Sequence, residues 1–296
     1  MRFPEFSGEW NKYTINDLAT VVGGGTPDTT VKSYWGGDIQ WFTPSEIGKN
    51  KYVDFSKRTI TRDGLDNSSA KLLPLHTILL SSRATVGECS IASNECTTNQ
   101  GFQSLIAKQC NIDFLYYLIQ TKKKDLIRNA CGSTFLEISA NEIRKIKVAV
   151  PVQNEQEQIA KLLSLIDERI ATQNKIIEKL QSLIKGLAAQ LTQSGTPNIR
   201  LCDCLECHSS TLQENCVSVT GSYPVYGATG LIGYTNNYAY NGESILIVKD
   251  GSGVGSLSYV NDHFSVIGTL NYLTAKENYS ILYLYYALMA FNFYRA

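Results

Sequence analysis

A chain of 296 residues, 43% hydrophobic and 18% charged, has the composition of a globular protein and the length for two domains, each with its own core. Its 27 Lys and Arg are matched by 27 Asp and Glu, which excludes a protein that grips DNA by bulk positive charge alone. No run of eighteen apolar residues exists, which excludes a membrane-spanning helix. The opening "MRFPEFSGEW" has no apolar signal core, so the eight cysteines read as thiols of a cytoplasmic protein. Charge is uneven: residues 1–150 carry 18 basic against 15 acidic side chains, and residues 194–296 carry 4 against 7. Any DNA contact therefore rests on localised basic residues or on a partner that supplies phosphate contacts.

In chain order, residues 1–150 alternate short apolar runs with turn chemistry, as in "VVGGGTP", "HTILLSSRATVGECSI" and "IRKIKVAVP". Such runs between Gly, Pro, Asn and Ser clusters predict strands joined by loops. "DFLYYLIQTKKKDLIRNA" has helical spacing and predicts a helix packed on the sheet, with the "KKK" at 122–124 on its solvated face. The segment reads as α+β with a mainly antiparallel sheet.

Residues 151–193 differ in kind. After Pro151 the chain runs free of proline and turn signals, and Asn154 followed by Glu157 predicts a capping box. Apolar residues recur in 4,3 spacing at Ile159, Leu163, Ile166, Ile170, Ile177, Leu180, Ile184, Leu187 and Leu191. Gln173 is the one polar seam position, of the kind that fixes register. A single helix of this kind, about 57 Å long at 1.5 Å per residue, cannot bury its own seam and predicts a coiled-coil spacer.

Residues 194–296 repeat the first segment. "ILLSSRATVGECSIASNE" (78–95) lies over "ILIVKDGSGVGSLSYVNDH" (245–263), with Gly87 opposite Gly255, and "FQSLIAKQ" lies over "LNYLTAKE". "TINDLATVVGG" (14–24) lies over "RLCDCLECHSS" (200–210), so Asp17 meets Asp203, Leu18 meets Cys204 and Val22 meets His208. The pattern predicts two copies of one domain.

On "RFPEFSGEW", "VGGGTP", "ILLSSRATVGE", "TTNQGFQSL" and "GSTFLEISANEIRKIKVAVPVQNEQEQIAKLLSLIDERI", the chain resembles the specificity subunits of type I restriction–modification systems, strongly over 1–193 and more weakly beyond. The resemblance implies two target-recognition domains, residues 1–150 and 194–296, joined by the spacer helix of 151–193. Each domain would read one half of a split sequence in double-stranded DNA. Methyltransferase subunits would dock on the helix, and a restriction subunit would join the assembly. No cofactor and no catalysis of its own are implied, and neither a phosphate loop nor a methyltransferase motif is present. The glycines of "VGGGTPDTT" and "DGSGVGS" read as turns.

Base readout needs Arg, Asn or Gln on loops. The candidates are Arg83 with Ser81 and Ser82, Asn99 and Gln100, and the "TPSE" loop at Thr43 and Ser45. Asn99 reads equally well as a turn residue. Lys57, Arg58 and Arg62, in a polar stretch, suit phosphate contacts. In the second copy Lys249 and Asp250 take the places of Ser82 and Arg83, which predicts a different base preference there.

The second copy ends at a point matching about residue 127 of the first, without a second spacer helix. Three outcomes fit: a homodimer through residues 155–192, an inactive truncated or recombination-derived copy, or a split partner chain. Two rival functions remain, a coiled-coil interaction scaffold and a metal protein centred on Cys202, Cys204, Cys207 and His208. The repeat favours a second opening helix over a metal site for these residues, since cysteine is also a small hydrophobe.

Overall fold

The computed structural model describes residues 2–132, 136–192, 199–251 and 253–291. The expected boundary between helix and second domain, at 193 and 194, lies outside the described residues. Two compact units are present, 1–171 and 172–296, and the division falls within one continuous helix, Gln153–Thr192. The fold is α+β, with sheets in each unit and a long helix shared by both.

In the first unit the short helix Ile15–Leu18 leads into the strand Ala19–Gly23. That strand pairs antiparallel with Gln103–Ala107, which pairs with Ile78–Leu80, which forms a hairpin with Cys89–Ala92. Tyr52–Val53 adds parallel at the end of this five-stranded sheet. The central strand is buried on both faces: Ile78 and Leu80 join Leu105, Leu115 and Ile119 under the helix Ile112–Thr121, whereas Leu79 turns to Phe42, Leu73 and Phe102. That two-sided burial explains why "ILL" is a continuous apolar run rather than an alternating one.

The second unit has the same strand order. Helix Leu201–Cys204 leads into Leu205–Ser209, then Leu270–Ala275, Tyr240–Val248 and Leu257–Val266, with Tyr223–Gly227 again adding parallel. Ile245 faces the helix Ile281–Met289 and Leu246 faces away, as Ile78 and Leu79 do. The hairpin turns match bond for bond. Gly87 N–H donates to the Ser81 carbonyl (3.0 Å) at φ +88°, and Gly255 N–H donates to the Val248 carbonyl (2.9 Å) at φ +84°. The duplication predicted from sequence is present as duplicated topology.

What differs is the segment between opening strand and hairpin. In the first unit, residues 24–77 supply two strands, Arg58–Ile60 and Trp35–Phe42, of a second, three-stranded sheet completed by Cys96–Thr98. In the second, residues 210–239 form a short 3-10 turn, Glu214–Cys216, and the hairpin Tyr223–Thr235.

Two local expectations need correction. The long helix opens at Gln153, so Asn154 lies inside it and no capping box runs from Asn154 to Glu157; Gln153 Nε2 donates to Glu157 Oε1 instead (3.1 Å). Pro151 ends the preceding strand, and the Val152 carbonyl accepts from Glu155 and Gln156 in the first turn. Gly24 and Gly25 of "VGGGTP" serve close approach rather than positive φ: a Cβ on Gly24 would sit 2.0 Å from the Asn99 carbonyl oxygen, and one on Gly25 would sit 2.4 Å from the Ala70 nitrogen. Gly24→Ala is therefore expected to cost about 3 kcal/mol by overpacking, read as a lower denaturation midpoint. A midpoint equal to the wild type's would show that the Asn99 loop yields freely.

Candidate nucleic-acid interface

The second sheet of the first unit gathers most of the predicted readers. Glu46 is the hub: one carboxylate oxygen accepts from Thr43 N–H (2.8 Å) and Thr43 Oγ1 (2.6 Å), and the other accepts from Lys57 N–H (2.6 Å). Ser45 Oγ lies 3.1 Å from Thr43 Oγ1. The strand Trp35–Phe42 hands on to this loop, and the Phe42 carbonyl accepts from Asn99 N–H (3.0 Å). Asn99 Oδ1 in turn accepts from Gly101 N–H (2.9 Å), and Gln100 is exposed and bonded to Thr26. Asn99 is thus a turn residue, and its carboxamide nitrogen takes no part in that turn. Thr43, Ser45, Lys57, Asn99 and Gln100 are brought together.

Other candidates are placed differently. Ser81 and Ser82 are fully buried, so neither can reach a base: Ser81 Oγ bonds the Arg83 carbonyl and Thr85, and Ser82 N–H is tied to the Gly101 carbonyl. The pairing of strand and loop on both sides excludes water from this pair. Arg83 is exposed beside the cluster but pairs with Glu137 (3.6 Å). Arg62 opens the helix Arg62–Asp66 and pairs with Asp66 (3.4 Å). Arg58 is ordered by apolar neighbours, against expectation: its guanidinium lies 3.6 Å from the centre of the Trp35 ring and 5.4 Å from that of Trp41. In the second unit Lys249 is exposed, its N–H held by the Thr269 carbonyl as Ser82 N–H is by Gly101.

The long helix is seated on the first unit by charged residues that spacing could not reveal. Glu155 is 1% exposed and accepts from Arg2 Nε and Nη2, both at 2.7 Å, and from Trp10 Nε1 at 3.3 Å. Donation from Arg2 holds its carboxyl below the usual carboxylate range. Two turns further on, Lys51 Nζ reaches Ser164 Oγ and Asp113 Oδ1, each at 2.7 Å, and lies 4.6 Å from the Tyr117 ring centre. Burial alone would raise Asp113, but donation from Lys51 and Tyr52 outweighs it and leaves the carboxyl lowered. Burial, with donation to Asp167, holds the Tyr117 hydroxyl above its usual range.

Beyond this base the predicted seam is open. Ile166, Ile170, Ile177, Leu180, Ile184, Leu187 and Leu191 are exposed, and only Ile159 and Leu163 are partly covered. The apolar face is also broader than one seam, because Leu162, Leu165, Ile176 and Leu183 are exposed as well.

Cys202, Cys204, Cys207 and His208 do not converge. The Cys204 thiol is buried against the Leu201 carbonyl (3.4 Å) in the opening helix. Cys207 and His208 are successive strand residues and so point to opposite faces, His208 stacking on Tyr272 at 4.7 Å. Among the described residues no three His, Cys, Asp or Glu side chains are grouped to hold a metal ion, and no helix is long and apolar enough to cross a membrane.

Comparisons with known proteins bear on the family and the fold. The profile of the family described as "Type I restriction modification DNA specificity domain" matches residues 7–182. The chain is 39% identical over 183 residues to the type I restriction enzyme MjaIX specificity subunit of Methanocaldococcus jannaschii, covering 58% of this chain and 42% of that protein. It is 24% identical over 319 aligned positions to the EcoprrI specificity subunit of Escherichia coli, covering 96% and 77%. The first of these matches spans less than half of its relative's length. Among solved structures, the type I restriction–modification S subunit from M. genitalium aligns with a TM-score of 0.63 at 19% identity, covering 98% of this chain and 80% of that one, a likeness of fold. With more than half of its residues matched by the family profile, the chain belongs to the type I restriction–modification DNA specificity family.

Proposed function

We propose that the chain is the sequence-reading, non-catalytic subunit of a type I restriction–modification assembly. Its first unit reads one half of a split DNA site through the loops at Thr43–Ser45 and Asn99–Gln100, with Lys57 beside them, and its second unit reads the other half around Lys249. The long helix carries the methyltransferase subunits, and the restriction subunit acts through that complex. The observation that carries this reading is one strand order present twice around a forty-residue helix, with a different insertion in each copy. A shared frame with divergent loops suits two readers of unlike sequences. Base chemistry falls to the methyltransferase after the target base is flipped.

Co-expression with the methyltransferase of its system, followed by sequencing of methylated bases, is expected to give one split motif. Methylation without sequence preference would defeat the reading.

The open apolar face of the helix supports a further element, a homodimer in which two copies cover each other's seams.

A further inference from the structure

Arg58 is built into the first unit unlike the other arginines near the proposed reading loops. Arg83 and Arg62 each sit beside a carboxylate, Glu137 and Asp66. Arg58 forms no ion pair with a carboxylate among the described residues, yet its head is fixed. Its guanidinium carbon lies 3.6 Å from the centre of the Trp35 ring, the separation of face-to-face packing. Trp35 meets Trp41 edge to face at 5.0 Å and 90°.

Both indoles are themselves locked. Trp35 Nε1 donates to the Asp28 carbonyl (3.1 Å) and Trp41 Nε1 to the Gly25 carbonyl (2.9 Å). The backbone beneath is tied as well: Ser56 Oγ donates to the Arg58 carbonyl (2.6 Å) and accepts from Trp41 N–H (2.9 Å). The carboxylate of Asp28 is occupied by Thr30 N–H (2.9 Å) and Oγ1 (2.7 Å). The preceding residue, Lys57, has its N–H held by Glu46, the hub of the Thr43–Ser45 loop.

A free arginine pays rotamer entropy for every bond it makes, and a phosphate contact tolerates that looseness. Stacking on a fixed indole removes the looseness and sets the plane of the fork, leaving its N–H groups with no acid to neutralise them. A planar fork of fixed orientation matches a planar pair of acceptors. In duplex DNA that pair is guanine O6 and N7 in the major groove.

We propose that Arg58 is a base-reading residue, directed at a guanine of the half-site facing the first unit, rather than a phosphate contact. The inference rests on the DNA-reading function proposed above.

The test is selection of bound duplexes from random-sequence DNA by the full chain with its methyltransferase subunit, wild type against Arg58→Lys. Lysine keeps the charge and the exposed position but loses the fork. Preference for guanine at one position of one half-site is expected to fall about tenfold to a hundredfold, with the other half-site unchanged and the slope of log affinity against log salt unaltered. Base preference unchanged in Arg58→Lys, together with a uniform loss over all sequences and a salt slope shallower by about one in Arg58→Ala, which removes the charge, would make Arg58 a phosphate contact and overturn the proposal. An unchanged motif and an unchanged salt slope in both variants would overturn it too, and would make the Trp35 stack purely structural. If the wild type selects no motif at all, the DNA-reading function itself fails, which separates the two failures.

Discussion

Arg2→Ala is expected to lower the thermal midpoint of the first unit by roughly 5–10 °C. The reason lies in Glu155, which is 1% exposed and receives both parallel donors of the Arg2 fork at 2.7 Å. Without them the carboxylate keeps, among the described residues, only the donor Trp10 Nε1 at 3.3 Å. Hydrogen bonds to charged groups contribute about 1.5–3 kcal/mol each way. Breaking a fully buried pair costs about 3–5 kcal/mol, and Arg2 is one-third exposed, so solvent offsets part of the loss. A net cost of about 2–3 kcal/mol follows.

The same pair sets an acid limit. Donation from Arg2 holds Glu155 below its ordinary value, so its stabilisation is complete above the unfolded carboxylate value near pH 4.3 and disappears as pH falls through the lower folded value. Asp113, lowered by Lys51 and Tyr52 against the effect of burial, adds a loss of the same sign. Thermal melts between pH 3 and 7 should therefore show Arg2→Ala converging on the wild type at the acid end. Equal midpoints at neutral pH would mean that the first helical turn is seated by Gln156 alone, through its bonds to Asn111 N–H and the Pro151 carbonyl.

The second large effect concerns assembly. Ile177→Asp combined with Leu180→Asp is expected to weaken self-association, or association with the methyltransferase, by at least about a hundredfold. Burial of two such side chains contributes about 1.5–3 kcal/mol each, and a buried unpaired carboxylate opposes it further. Both residues are half exposed in the isolated chain, so its melting should hardly change. Sedimentation at micromolar concentration, alone and with the methyltransferase subunit, separates the outcomes. Wild type and variant with the same mass in both conditions would remove the seam as a docking surface.

The frame was legible because it is periodic or repeated. The 4,3 spacing marked the helix, and the offset of about 168 residues between "FQSLIAKQ" and "LNYLTAKE" marked the second copy before any pairing was known. Those positions proved to be equivalent strands, Gln103–Ala107 and Leu270–Ala275. The site was less legible because its contacts join residues without periodic relation. Nothing local links Arg58 to Trp35 or Arg2 to Glu155, and the polar run around 57–62 gave no hint that an indole would order an arginine. Ser81 and Ser82 misled for the opposite reason: they are small polar residues beside an arginine, yet they continue a central strand whose two neighbours cover them.

The insertion of unlike loops into an identical order of strands has an engineering consequence. The ends of the variable segment, Gly23 with Ile78 in one copy and Ser209 with Tyr240 in the other, are strand residues paired within the shared framework. A combinatorial library confined to Ser45, Lys57, Arg58 and Gln100 would alter exposed side chains without touching that framework or the foot of the helix. New binding preferences could then be selected while the scaffold stays constant, much as grafted loops are exchanged on an antibody sandwich.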